Sequence, residues 1–291
     1  MSRTGGLLCF AIVILVSTTV AGSEETSAQK GDSGRRLELA PAGDLYAPYI
    51  ADPQHSGFGL QIMSFSSSQI ADSGDDRFGL KLGGRFGIFK MLSKIEPNRG
   101  FQLSIEAGFL GQFDRDHSQD NIGWDGIYGL ILTYRHNQKI AFKLGVHHTS
   151  SHVGDELQER TGRLRINYTR EELIAGVRWE IARRWRTYFE AGWGYELRTD
   201  LQEPGRLQLG VEHEREEFLW KNRLGWFAAV NVSTTEERDW DLSTTVQVGF
   251  KVRGAARFWR LGLEYYDGRS WLGEFFQDDE TYTSLGLWLD L

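Results

Sequence analysis

From Phe58 onward, apolar and polar residues alternate with a period of two. The clearest stretch sets Phe101, Leu103, Ile105, Ala107 and Phe109 against Gln102, Ser104, Glu106 and Gly108, the signature of a strand with one face in an apolar medium and the other in a polar one. The same logic recurs in Leu80, Leu82, Phe86 and Ile88, in Ile140, Phe142, Leu144 and Val146, in Ala175, Val177, Trp179 and Ile181, and through to Leu285, Leu287 and Leu289. With Phe58, Leu60 and Ile62 at the start, the count comes to about twelve strands.

The connections sharpen this reading. Long polar links at 66–77, 114–123, 152–170, 199–206, 233–239 and 267–279 alternate with short ones at 92–99, 135–139, 182–184, 214–217 and 253–257. Long loops on one side and tight turns on the other are characteristic of barrels that cross the bacterial outer membrane. The sequence therefore predicts an all-β protein, an antiparallel transmembrane β-barrel with both termini on the periplasmic side. The polar faces carry Lys81, Arg85, Lys143, Arg178, Arg186, Lys221, Arg223 and Lys251 together with Glu106, Glu180, Glu190, Glu196, Glu212 and Glu264. About twelve strands enclose a narrow interior, so side chains of opposite sign are expected to pair across it and obstruct the lumen.

Composition agrees with this picture. The mean hydropathy of -0.40 is that of a polar protein, but in an alternating strand the average conceals the apolar face. An apolar run at 7–16 holds the only cysteine, Cys9, between Arg3 and the small residues of 17–22; it predicts a signal peptide over 1–22, cleaved after Ala21 or Gly22. Residues 23–55 mix Gly, Ser, Ala and both charges without a steady period and are expected to form a periplasmic N-terminal leader, with the barrel over 56–291. The expected location is the outer membrane of a Gram-negative bacterium, reached through export and the barrel-insertion machinery, with outer-membrane lipid and lipopolysaccharide as surroundings. A net charge of -7 without a concentrated basic surface argues against a nucleic-acid partner.

One segment has dense chemical potential. Residues 146–156 hold three of the seven histidines, at the outer end of the fifth barrel strand. Parity places His148 and Ser150, and by extension His152, on the apolar face and turns His147, Thr149 and Ser151 inward. Polar groups facing lipid are costly unless they bond one another or act on something at that depth. A histidine two residues before a serine on one strand sets an imidazole beside a hydroxyl, the pairing needed to activate a nucleophile against an ester. Asn167 and Glu171 share the outward parity of the next strand and are candidates to orient His148, with Asp155 and Glu156 as loop alternatives. The plainer reading is that these residues mark where the strand leaves the apolar band. A metal reading would use His147 or His148 with His152, Asp155 and Glu156, but two histidines at strand parity do not complete a ligand set, and no metal or cofactor is expected.

The His148-x-Ser150 pair resembles outer-membrane phospholipase A and the lipid A deacylase, in which a His-x-Ser pair lies on the barrel exterior. This chain departs from phospholipase A in carrying Ser151-His152 where that family has Asn-Gly, and it has no evident calcium-site signature. The longer pattern His148-x-Ser150-Ser151-His152-x-Gly154-Asp155-Glu156, followed by residues 167–173 and preceded by the stretch 40–53, is similar to the domain-of-unknown-function 1207 family of outer-membrane barrel proteins. That resemblance implies location and fold and carries no activity. The leading expectation is thus a barrel with a structural, interaction or restricted-passage role; the alternative is an exterior lipid or lipid A esterase built on His148 and Ser150.

Overall fold

The computed structural model describes residues 34–215, 219–220, 223–254 and 257–290; the expected signal peptide, residues 23–33 of the expected leader and Lys221 lie outside them. Thirteen strands form one antiparallel sheet: β1 (Arg35–Leu39), β2 (Phe58–Ser68), β3 (Asp76–Ser93), β4 (Gly100–Asp114), β5 (Asp120–Arg135), β6 (Ile140–Val153), β7 (Thr169–Ala182), β8 (Trp185–Leu197), β9 (Gly205–Glu214), β10 (Leu224–Thr235), β11 (Leu242–Arg253), β12 (Phe258–Arg269) and β13 (Asp279–Asp290). Strands β2 to β13 pair with their chain neighbours, and β13 closes on β2, with Leu285 opposite Ile62 and Leu287 opposite Leu60. The result is the expected barrel of twelve strands, closed by the β13–β2 ladder. Strand β1 is an addition at the short-turn end, where Arg35 to Leu39 pair with the overhanging end of β3. Among the described residues no helix is long and apolar enough to cross a membrane.

The faces divide as the alternation requires. Leu82, Phe86, Leu130, Leu144, Phe189, Leu209, Leu263 and Leu285 are exposed on the outside, where lipid is their solvent. Inside, Arg85 bonds Glu106 at 2.8 Å, Arg206 bonds Glu172 at 2.8 Å and Glu190 at 2.7 Å, and Lys251 reaches Glu214 at 2.9 Å. Lys143 also pairs with Glu190, and Arg186 with Glu212. Two inner-face expectations fail: Arg223 is exposed in the turn before β10, and Glu196 also turns outward. A bulge sets Glu171 opposite Glu196 but Glu172 opposite Gly194, so β8 gains a residue and Glu196 is exposed rather than turned into the lumen.

The lumen holds more than wall side chains. The segment 44–56, which the sequence suggests as part of a leader ahead of the barrel, instead crosses its interior. Leu45 N–H donates to Gln102 on β4, and Arg135 on β5 donates to Leu45 O at 3.0 Å. Tyr49 stacks on Tyr188 of β8 at 3.7 Å and donates to Glu190 at 2.9 Å. Ile50 N–H donates to Glu212 on β9, while Ser56 Oγ donates to Glu106 at 2.7 Å. Partners on opposite walls satisfy the polar groups of a segment that has no regular secondary structure of its own.

The long-loop end is sealed differently. Helix α1 (Asp155–Thr161) follows β6, and a 3-10 turn (Gly273–Phe275) lies between β12 and β13. Leu157, Leu272 and Phe275 pack with Phe65, Ile122, Val153 and Tyr282 into one buried apolar cluster. The Glu274 carboxylate accepts the N–H groups of Ile166 and Tyr168, and Ser151 Oγ accepts the Glu274 N–H at 2.8 Å. The N-terminal segment, with Tyr46, Tyr49, Ile50 and Ala51 buried against the wall beside its hydrogen bonds, and the apolar cap from the loops thus occupy the two parts of the interior.

Two outcomes follow from this filling. Glu190→Ala leaves Lys143 and Arg206 without their shared carboxylate, and denaturant unfolding in lipid vesicles should show a loss of about 3–5 kcal/mol; an unchanged midpoint would contradict the network. In planar bilayers the full chain should give no large, stable conductance steps, whereas porin-like steps would refute a filled lumen.

Candidate active site

The site is built across three neighbouring strands on the outer wall. Gly126 and Tyr128 of β5 lie opposite Ser150 and His148 of β6, which in turn lie opposite Thr169 and Glu171 of β7. The neighbours next along the strands, Leu130, Val146 and Leu173, are all exposed apolar residues, so His148, Ser150 and Glu171 interrupt an apolar surface as parity predicts. His147, Thr149 and Ser151 point inward: His147 Nε2 lies 3.6 Å from Glu106 without a hydrogen-bond partner, and Ser151 donates to Asp125.

Of the candidate orienting groups, Glu171 is the one that meets His148. The His148 Nδ1–H donates to Glu171 Oε1. The imidazole also stacks on Tyr128, with ring centroids 4.1 Å apart and an interplanar angle of 18°. Its side chain is 13% exposed and that of Glu171 28%. A carboxylate on Nδ1 selects the tautomer whose lone pair sits on Nε2, and the stack limits ring rotation. No hydrogen bond joins His148 to Ser150 among the described residues. Ser150 Oγ lies beside Gly126, where an added Cβ would come 3.3 Å from that oxygen and 3.4 Å from Cζ3 of Trp124.

Other sequence candidates do not converge on this pair. Asn167 stands in the loop before β7 in a left-handed conformation, φ 55°, and no hydrogen bond joins it to His148. Asp155 and Glu156 occupy the exposed first turn of α1. His152 is on the outer wall, stacked on Trp124 at 4.1 Å, while His147 is inside the barrel. The weak metal set of His147, His152, Asp155 and Glu156 is therefore split between the two faces of the wall and the loop, and no group of three or more metal-type side chains is present among the described residues.

Four contributors escaped the sequence reading. Tyr128 and Gly126 become visible only when the β5–β6 register is known, because cross-strand neighbours are distant in sequence. Trp124 and Arg165 flank the loop side: Arg165 Nη2 donates to His152 Nδ1 at 2.5 Å, and no carboxylate pairs with this exposed guanidinium among the described residues.

The family model described as Protein of unknown function (DUF1207) matches residues 17–290, whereas no curated protein matches the sequence. Among solved structures, the outer membrane phospholipase dimer of Salmonella typhi with bound calcium is similar with a TM-score of 0.58 at 10% identity, covering 83% of this chain and 93% of that one. Outer membrane phospholipase A from Escherichia coli gives a TM-score of 0.57 at 10% identity, covering 82% and 94%. LpxR from Salmonella typhimurium gives 0.40 at 12% identity, covering 81% and 100%, a likeness too loose to argue from. At these identities the similarity is one of fold: an outer-membrane-type barrel.

The His148–Glu171 bond can be measured directly. A double-mutant cycle with His148→Ala and Glu171→Ala should give a coupling of about 1.5–3 kcal/mol in vesicle unfolding, the range for a hydrogen bond to a charged group. Additive effects would mean that the two side chains do not interact.

Proposed function

The chain belongs to the DUF1207 family, and we propose that it is an outer-membrane lipid hydrolase that cleaves acyl esters at the exterior of the barrel with Ser150 as nucleophile, His148 as base and Glu171 as orienting acid. The observation that carries this reading is the hydrogen bond from His148 Nδ1 to Glu171, on the lipid-facing wall and two residues from Ser150.

The chemistry follows from the arrangement. Glu171 holds the proton on Nδ1 and stabilises the imidazolium as it forms. Attack requires the Ser150 hydroxyl to come within hydrogen-bond reach of Nε2. As Oγ attacks the ester carbonyl carbon, Nε2 takes the hydroxyl proton. Collapse of the tetrahedral intermediate breaks the bond to the alcohol oxygen, which receives that proton from His148 and leaves as the lysolipid or deacylated sugar. Water then attacks the Ser150 acyl ester, passes its proton through His148 and releases the fatty acid. The surroundings suit a membrane ester: Gly126 carries no side chain beside Oγ, Val146 and Leu173 present apolar surface on one side, and His152 with the Arg165 guanidinium bonded to it presents polar, cationic surface on the loop side, where lipid headgroups would lie.

A passage role has less support. Segment 44–56 and the capping cluster fill the space that a solute would use.

Purified protein in detergent should release fatty acid from phospholipid vesicles or from lipid A, and the two substrates separate the lipid sources. Ser150→Ala and His148→Ala should each lower release by at least about a thousandfold, with a smaller loss for Glu171→Gln. Equal, near-zero release from all the proteins would overturn the proposal.

A further inference from the structure

Next to the catalytic pair, the outer wall is hollowed. An open depression of about 710 Å³ spans the outer wall from Leu130 and Leu132 on β5 across β6, β7 and β8 to Leu207 on β9, and it includes Val146 and Leu173, one outward position further from the loops than His148 and Glu171. Its shape has a cause in the register. One cross-strand row runs Leu144, Ala175, Ala191, Leu207. The row beyond it runs Phe142, Val177, Phe189, Leu209, and the row on the loop side includes Val146, Leu173 and Trp193. Two adjacent alanines between bulkier rows leave a dent, beside which the exposed Trp193 indole stands.

The hollow is apolar and of the size of a small-ligand pocket. Its depth can be set against the bilayer. Leu144 lies six residues from Ser150 along β6, about 20 Å of strand at ~3.3 Å per residue, or about 14 Å of depth at a tilt of ~45°. One leaflet contributes about 15 Å of hydrocarbon. An ester held at Ser150 would therefore bring only the end of a long acyl chain to the edge of the row that holds Ala175 and Ala191, and a short chain would stop well before it.

We infer that this hollow is the acyl-chain site of the hydrolase, and that Ala175 and Ala191 set its preference for long-chain esters. The inference rests on the hydrolase reading above. Continuity decides the occupant: the hollow opens at the two apolar residues that adjoin the His148–Glu171 pair, so the chain nearest to it is the one attached to the ester being cleaved.

The test compares p-nitrophenyl palmitate with p-nitrophenyl butyrate, using the full-length protein in detergent. Ala175→Phe and Ala191→Phe fill the hollow with side chains that a lipid-facing wall tolerates. Palmitate hydrolysis should fall about tenfold or more, as contact with several methylenes is lost. Butyrate hydrolysis should stay within about twofold and reports that each variant is folded. Should either phenylalanine prevent insertion, Ala191→Leu provides a milder filling with the same expected direction. Palmitate and butyrate rates that fall in parallel, or do not fall at all, would overturn the acyl site while leaving the hydrolase intact. Absence of hydrolysis of both esters by the unsubstituted protein would overturn the hydrolase reading and this inference with it.

Discussion

Hydrocarbon cannot hydrogen-bond, and every feature of this chain answers to that constraint. A wall of paired strands satisfies its own backbone only when closed, which β13 achieves by pairing with β2. Closure in turn forces the side chains into two populations with opposite needs. Those facing lipid must be apolar, and those facing inward must be satisfied by one another. The paired charges of the lumen, with Arg206 between Glu172 and Glu190, are the consequence on one side. On the other, a polar residue on the outer wall requires a reason.

That requirement makes the His148 region informative. In a soluble protein, an exposed histidine, serine and glutamate would be ordinary surface. Here they interrupt rows of leucine, valine and tryptophan, and the imidazole is bonded to Glu171 and stacked on Tyr128. Mutual hydrogen bonding lowers the cost of placing a histidine and a carboxylate at that depth. It also leaves one ring nitrogen without that bond, two residues from a serine on the same face, so the arrangement that makes the cluster tolerable is the one the proposed chemistry would use. The filled lumen points the same way, since chemistry at the outer surface does not need a path through the barrel.

Much of this was legible in the sequence because a strand's faces repeat every two residues. Alternation placed Leu144, Val146, His148 and Ser150 on one face, and the lengths of the connections separated the loop end from the turn end. What was not legible depends on long-range pairing. Segment 44–56 has no periodicity because its partners, Gln102, Glu106, Glu190 and Glu212, stand on different walls. Alternation alone turns Glu196 inward, because it cannot foresee the bulge opposite Glu171 and Glu172. Parity left Asn167 and Glu171 equal as partners for His148; the β6–β7 register, which places Glu171 directly opposite, separates them.

The account stands on Ser150 being a nucleophile activated from the lipid side. Labelling with a membrane-soluble alkyl fluorophosphonate, read by mass spectrometry of the intact protein and its peptides, addresses this directly. A single adduct on Ser150 is expected, absent in His148→Ala and slower to form in Glu171→Gln. No adduct on Ser150, or labelling at the same rate without His148, would contradict it.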